Sequence, residues 1–131
     1  MDEPVVKKSL SDFLEGLRQL SQFQDCQMIG VNTRGSNGDT PLKVAVVRED
    51  LATAQNLLNA GADPNIVGED ACTPLHHAVG AGNMEIIRLL LARGASVEAR
   101  EYMGKTPIDY ARMTHNVKLV ALLERFLSAN K

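Results

Sequence analysis

The sequence predicts an all-α repeat solenoid, in which pairs of short helices stack side by side. Three observations predict this class. The dipeptide Thr-Pro returns at Thr40, Thr73 and Thr106, at a constant interval of 33 residues. Each copy precedes two apolar runs that are too short to form stable helices in isolation. Aromatic residues make up only 4% of the chain, which favours a core of aliphatic side chains between small elements.

Each repeated unit carries signals for two helices. A threonine can cap a helix N-terminus, and a proline at the next position has its φ already set for the first turn. These signals predict first helices over residues 41–47, 74–80 and 107–113, and second helices over 51–59, 84–92 and 117–126. Gly82 falls between two helices, where a positive φ costs glycine little. Gly61 and Gly94 are predicted to be left-handed C-caps.

Such short helices cover their apolar faces only when neighbouring pairs stack into one continuous core. We therefore expect Ile86, Ile87, Leu90 and Leu91 to pack against adjacent units. The first helices carry a small residue at one repeated position, which allows them to approach closely: Ala45, Ala78 and Ala111.

The segment "TPLHHAVGAGNMEIIRLLLARGA", residues 73–95, resembles the consensus of the ankyrin-repeat family. The resemblance implies L-shaped units over residues 35–67, 68–100 and 101–131. Each unit would be an antiparallel helix pair, and the units would be joined by β-hairpin-like fingers centred on 35–39, 68–72 and 101–105. Unit one departs from the family pattern, because Lys43 replaces the usual histidine and Glu49 the usual glycine. Unit three has Asp109 and His115 at those two places.

Residues 9–34 are predicted to form a degenerate N-terminal capping unit, and residues 1–8 to be disordered. Ser9 and Asp12 resemble a capping box, and Asn32 stands 33 residues before Asn65. The alternative is a separate amphipathic helix for a membrane or a partner. Its polar face mixes charges of both signs, which argues against a membrane surface.

Charge and composition exclude several classes. The net charge of −2 and pI near 5.9 leave no basic field for nucleic acid. No apolar run approaches a membrane span. Cys26 and Cys72 show no spacing typical of a disulfide scaffold or a zinc site, so we expect a reduced, cytoplasmic protein. We also expect a monomer without a cofactor.

The histidines do not indicate a catalytic or metal site. His76 and His77 are adjacent, so on a helix they point about 100° apart and cannot share one ion. His76 occupies the family's structural position, and no nucleophile completes a pair of Asp109 with His115. Cys72 is expected to be exposed on a finger, with no Lys, Arg or His beside it to lower its pKa.

The predicted function is therefore binding through the concave face. Carried over from the family by position, the candidate contact residues are Asp39, Val47, Arg48, Glu69, Asp70, Cys72, Tyr102, Met103, Lys105 and Met113. Asp39, Glu69 and Asp70 make the first two fingers acidic, unless these charges are merely a solvated surface. The hypothesis is a partner protein with a basic element for these fingers and an apolar knob for the third finger.

Two binding roles compete. The favoured role is a small stand-alone binder that inhibits or neutralises its partner. The alternative is an adaptor that joins two proteins, for which the sequence would need to offer a second exposed patch. An enzyme is the third class, and the absence of a nucleophile–base constellation argues against it.

Overall fold

The computed structural model describes residues 10–27, 29–68 and 70–129. Within those ranges it has seven α-helices and no β-strand, so the predicted all-helical solenoid is confirmed. The helices are α1 Leu10–Gly16, α2 Pro41–Val47, α3 Leu51–Asn59, α4 Pro74–Ala81, α5 Met84–Ala92, α6 Pro107–Met113 and α7 Val117–Ala129. The last helix extends three residues beyond the predicted end at Phe126.

The three Thr-Pro dipeptides begin the first helices as predicted. The hydroxyl of Thr40 accepts from the Lys43 amide at 3.3 Å, and units two and three repeat this contact. In unit two the ring of His76 accepts in return from the Thr73 amide, which completes a capping box. Lys43 has no acceptor atom, so unit one lacks this reciprocal bond.

Left-handed backbone occurs at the joints that the repeat predicts. Gly82 has φ of 72°, and its counterparts Glu49 and His115 have φ of 57° and 58°. Gly61 and Gly94 follow the second helices with φ of 100° and 89°. A non-glycine residue in this region costs about 1–2 kcal/mol, so the turns of units one and three are strained.

The units stack in series. α2 packs on α4 and α4 on α6, while each first helix also packs on the second helix of its own unit. α3 contacts both α5 and α1. The predicted core residues of α5 and the small residues of the first helices are all buried: Ala45, Ala78, Ile86, Ile87, Leu90, Leu91 and Ala111.

The N-terminal helix α1 covers only the first part of the predicted capping unit. α1 ends at Gly16, and two 3-10 turns follow at Leu17–Gln19 and Ser21–Phe23. Leu20, between these turns, has extended backbone, which interrupts the helix. Phe13, Leu17 and Phe23 are nevertheless buried in the common core. The predicted cap at Ser9 and the predicted disorder of residues 1–8 lie outside the described residues.

Two asparagines connect successive units in the same way. The Asn65 side chain donates to the Gly94 carbonyl at 3.1 Å and accepts from the Ser96 amide at 2.9 Å. Asn32, 33 residues earlier in the sequence, makes the equivalent pair of bonds to Gly61 and Asp63 at 3.2 and 2.8 Å. Asn32 thus connects the N-terminal segment to unit one as a residue of a degenerate unit would, and the boundaries of that unit at residues 9–34 stay a prediction.

Candidate functional site

The carboxyl ends of the first helices carry one row of the predicted contact residues. Val47 and Met113 are 57% and 60% exposed, large values for apolar side chains. Gly80 lies at the equivalent position of the middle unit and is also exposed. Arg48 follows Val47 and is exposed as well. The row therefore presents apolar side chains at both ends and an open floor between them.

Finger three holds the second apolar pair, with Tyr102 72% and Met103 63% exposed. A neighbouring glutamate explains this exposure. The Glu101 carboxylate accepts from the amides of Met103 and Lys105, at 2.7 and 3.0 Å, and so closes the turn from within. The side chain of Met103 is not needed to close the turn, and it extends into solvent.

Fingers one and two close their turns differently. The side chain of Asn37 accepts from the Asp39 amide at 3.0 Å, and Asp70 accepts from the Cys72 amide at 2.9 Å. These two residues are the repeat counterparts of Met103. The third finger thus differs because glutamate replaces the glycine found at positions 35 and 68.

Lys43 neutralises much of the predicted acidic surface. Its ammonium lies 2.8 Å from a carboxylate oxygen of Asp39 and 3.5 Å from one of Asp70. Burial alone would lower the pKa of Lys43, but the hydrogen bond and charge of Asp39, with the charge of Asp70, raise it above its usual value. The lysine is therefore charged and links the first two fingers.

The same pairing acts on Asp70. Burial would raise the pKa of this carboxyl group, but the Cys72 amide and the Lys43 charge lower it below its ordinary value. The sequence analysis did not identify this role of Lys43. The Asp39–Lys43 spacing of four residues is the signal that could have indicated it. Glu69, the third predicted acidic contact, lies outside the described residues.

The expectation that Cys72 is exposed is wrong, because only 7% of the residue is accessible. Cys72 immediately precedes Thr73, the cap of α4, and His77 is the fourth residue of that helix. Side chains at these two positions pack against each other at helix N-termini. The expectation that no histidine adjoins Cys72 is therefore also wrong. Sulfur, a His77 ring nitrogen and an Asp70 oxygen lie within 4.8 Å of one another.

Burial is the largest influence on the pKa values of Cys72 and His77. It raises the pKa of the Cys72 thiol, whose sulfur lies 3.6 Å from the Tyr110 hydroxyl. Burial, with the Lys43 charge, lowers the pKa of His77 below its ordinary value. Its Nε2 atom is buried without a hydrogen-bond partner. A neutral imidazole with an unpartnered nitrogen is uncommon in a folded interior.

His76 has the structural role that the sequence predicts. Its Nδ1 accepts from the Thr73 amide at 3.1 Å, which leaves the proton of the neutral ring on Nε2. Nε2 then donates to the Lys105 carbonyl at 2.9 Å. Tyr110 packs on the ring edge-on, with centroids 5.0 Å apart. Lys105, a predicted contact residue, is half-buried beside this bond.

A family model described as ankyrin repeats, in three copies, matches residues 45–130. This chain belongs to the ankyrin-repeat family. Ankyrin repeats are protein–protein interaction modules, and the family is generally a non-catalytic one. None of the helices that the structure describes in this ankyrin-repeat chain combines the length and the hydrophobicity that a membrane span requires.

Similar ankyrin-repeat proteins come from diverse sources. The chain is 34% identical over 119 residues to an ankyrin repeat protein of Rickettsia felis, a match covering 82% of this chain and 52% of the relative. It is 33% identical over 131 residues to an ankyrin repeat protein of fowlpox virus, covering 89% and 38%. A third relative, the 2-5A-dependent ribonuclease of Mus musculus, is 42% identical over 74 residues, covering 56% and 10%.

The ankyrin-repeat chain thus spans between a tenth and about half of the length of these relatives. The ribonuclease carries such repeats within an enzyme, so the family alone does not specify the activity of a whole protein.

Proposed function

We propose that this chain is a non-catalytic binder that inhibits a partner protein by covering it with the third finger and the ends of the first helices. The partner supplies an apolar element. The observation that carries the proposal is the exposure of four large apolar side chains at predicted contact positions: Val47, Tyr102, Met103 and Met113. Tyrosine and methionine are enriched at the centres of protein interfaces.

Charge contributes less to the proposed binding than apolar contact does. The carboxylates of Asp39 and Asp70 share Lys43, so a basic element of the partner meets a partly neutralised surface. Cys72 is buried and is not part of the proposed contact set. Arg48 and Lys105 then form a polar edge, where single charges affect association rate more than affinity.

The inhibitor role, with the chain acting as a cytoplasmic monomer, is preferred to the adaptor role. An adaptor needs two separate patches. The exposed apolar residues of the predicted face instead belong to neighbouring repeat positions. No basic field supports nucleic acid as the partner, given a net charge of −2.

Quantitative affinity capture tests the proposal. The wild-type chain, the double variant Tyr102→Ala/Met113→Ala and the control Gln55→Ala, at an exposed position of α3, serve as baits in extract of the source organism. A specific partner is retained by the wild type and the control. The double variant should lose it by about tenfold or more, because exposed aromatic anchors carry much of the binding free energy.

The captured partner is then purified and assayed for its own activity with one equivalent of the chain. Loss of activity supports inhibition, and ternary complex formation without loss supports the adaptor. Equal capture by the double variant and the wild type would remove this face from consideration.

A further inference from the structure

We propose that Asp70, Cys72 and His77 form a binding site for a divalent transition metal of the zinc type. Among the described residues, theirs is the group of potential ligands whose donor atoms lie within 4.8 Å of one another. A thiolate, an imidazole and a carboxylate are the three donor types that Zn²⁺ takes in proteins.

Local structure brings the three donors together independently of any metal. Cys72 and His77 occupy the positions before the cap and at the fourth residue of α4, which pack against each other at helix starts. Asp70 is held by its bond from the Cys72 amide, across a turn in which Ala71 has φ of 60°. The arrangement is thus fixed on a helix end and a closed turn.

The second observation is the unpartnered nitrogen. The Nε2 atom of His77 is buried and makes no hydrogen bond, although the neighbouring polar groups of the finger are paired. A buried polar nitrogen without a partner is unfavourable, because nothing replaces the hydrogen bond to water that it loses on folding. A metal ion bound to Nε2 would give this nitrogen the partner that it lacks.

The repeat shows that this donor set is peculiar to unit two. The counterparts of Cys72 and His77 are Asp39 and Val44 in unit one, and Lys105 and Tyr110 in unit three. Neither pair combines sulfur with imidazole. The stack therefore does not require these residues, and the replacement valine or tyrosine is compatible with the fold.

The three protein ligands leave the fourth position of a tetrahedral ion to water. Asp70 is 41% exposed at its side chain, which gives an ion access from solvent. As the sulfur–metal bond forms, the Cys72 thiol releases its proton to solvent. Lys43 already binds Asp70, so the ion shares this carboxylate with the lysine.

Cobalt substitution tests the site on the full chain. Co²⁺ is titrated into reduced protein, and a thiolate-to-cobalt charge-transfer band with tetrahedral d–d absorption is expected. Cys72→Ser should abolish the charge-transfer band, and His77→Val should weaken Co²⁺ affinity by more than about tenfold. Cys26→Ser and His115→Gln are the matched controls and should bind as the wild type does.

Zinc gives an independent readout that does not need a coloured ion. At about a hundredfold excess over Kd, Zn²⁺ should raise the Tm of the wild type by about 5–10 °C. It should leave the Tm of Cys72→Ser and His77→Val unchanged. Their circular dichroism without metal must match the wild type.

The proposal is overturned by a wild-type titration without the charge-transfer band, or by a band that follows Cys26 instead of Cys72. Neither outcome bears on the protein-binding role, because the metal test uses the isolated chain.

Discussion

The Nε2 atom of His76 lies 2.9 Å from the Lys105 carbonyl oxygen, so one fully buried ring joins the start of α4 to the third finger. The same ring holds the Thr73 amide through Nδ1. A single side chain therefore satisfies backbone groups of two consecutive units.

His76→Leu should destabilise the chain by about 2–4 kcal/mol, because it leaves the Thr73 amide unpaired in the interior and removes one of the two hydrogen bonds of the Lys105 carbonyl, which keeps the bond from the Glu101 amide. Urea denaturation measures the change. His115→Gln, at an exposed turn, is the control and should stay within about 0.5 kcal/mol. A His76→Leu protein as stable as the wild type would show that these two bonds contribute nothing net.

Ala71→Gly should stabilise the chain by about 0.5–1 kcal/mol. Fingers one and three have glycine at this position, Gly38 and Gly104, with φ of 84° and 83°. Relief of left-handed strain is worth about 1–2 kcal/mol, and the greater freedom of glycine in the unfolded chain offsets part of it. The reverse variant, Gly104→Ala, should destabilise. Chemical denaturation of both variants provides the measurement, and changes of the same sign in the two would contradict the argument.

Lys43 and Asp39 should show a coupling free energy of about 1 kcal/mol in a double-mutant cycle with Lys43→Met and Asp39→Asn. Their side chains are only 11% and 16% exposed, so solvent screens this pair less than a surface pair. Denaturation at low and high salt completes the measurement. Arg112 and Glu124, an exposed pair at 3.0 Å, form the matched comparison and should couple more weakly. Equal coupling in both pairs would argue against the role of burial.

Two carboxyl groups of unit three should make stability fall in acid. The Lys105 amide and other donors hold the pKa of Glu101 below its usual value, and the Thr106 amide does the same for Asp109. A pKa lowered in the folded state gives stability above the unfolded pKa, near 4, and this stability is lost as pH falls through the lower folded pKa. Thermal melts between about pH 7 and pH 2 measure it.

Glu101→Gln is the informative variant for that experiment, since it removes the ionisation and keeps the size of the side chain. Its melting temperature should depend less on pH below about 4 than that of the wild type. Glu98→Gln, exposed in the preceding loop, is the control. Identical acid profiles for Glu101→Gln and the wild type would contradict the role assigned to the carboxylate.

Much of the fold follows from the sequence, because the Thr-Pro starts and the left-handed ends are local signals. α2, α3, α5 and α6 have the predicted bounds, and α4 is longer by one residue, Ala81. The N-terminal unit was less predictable. Its α-helix ends at Gly16, and the extended backbone of Leu20 then separates two short 3-10 turns, which no periodic pattern indicates.

The exposure of the candidate contact residues was predictable where it follows from repeat position, as at Val47 and Met113. The site was not predictable where side chains from different units meet. The bond of Lys43 to Asp70 joins residues 27 apart, and only the stacking of units brings them together. The exposure of Cys72 was predicted wrongly, because its burial depends on packing against helix α4 and Tyr110.

The asparagine connections have a direction, since Asn32 and Asn65 each reach forward to the loop that follows the next helix pair. A ribosome makes the chain from its amino end, so each of these asparagines is synthesised before the residues to which it bonds. Folding during translation should therefore lag one repeat behind the emerging polypeptide. In a chain stalled before Gly94, the side-chain amide of Asn65 would lack its hydrogen-bond partners.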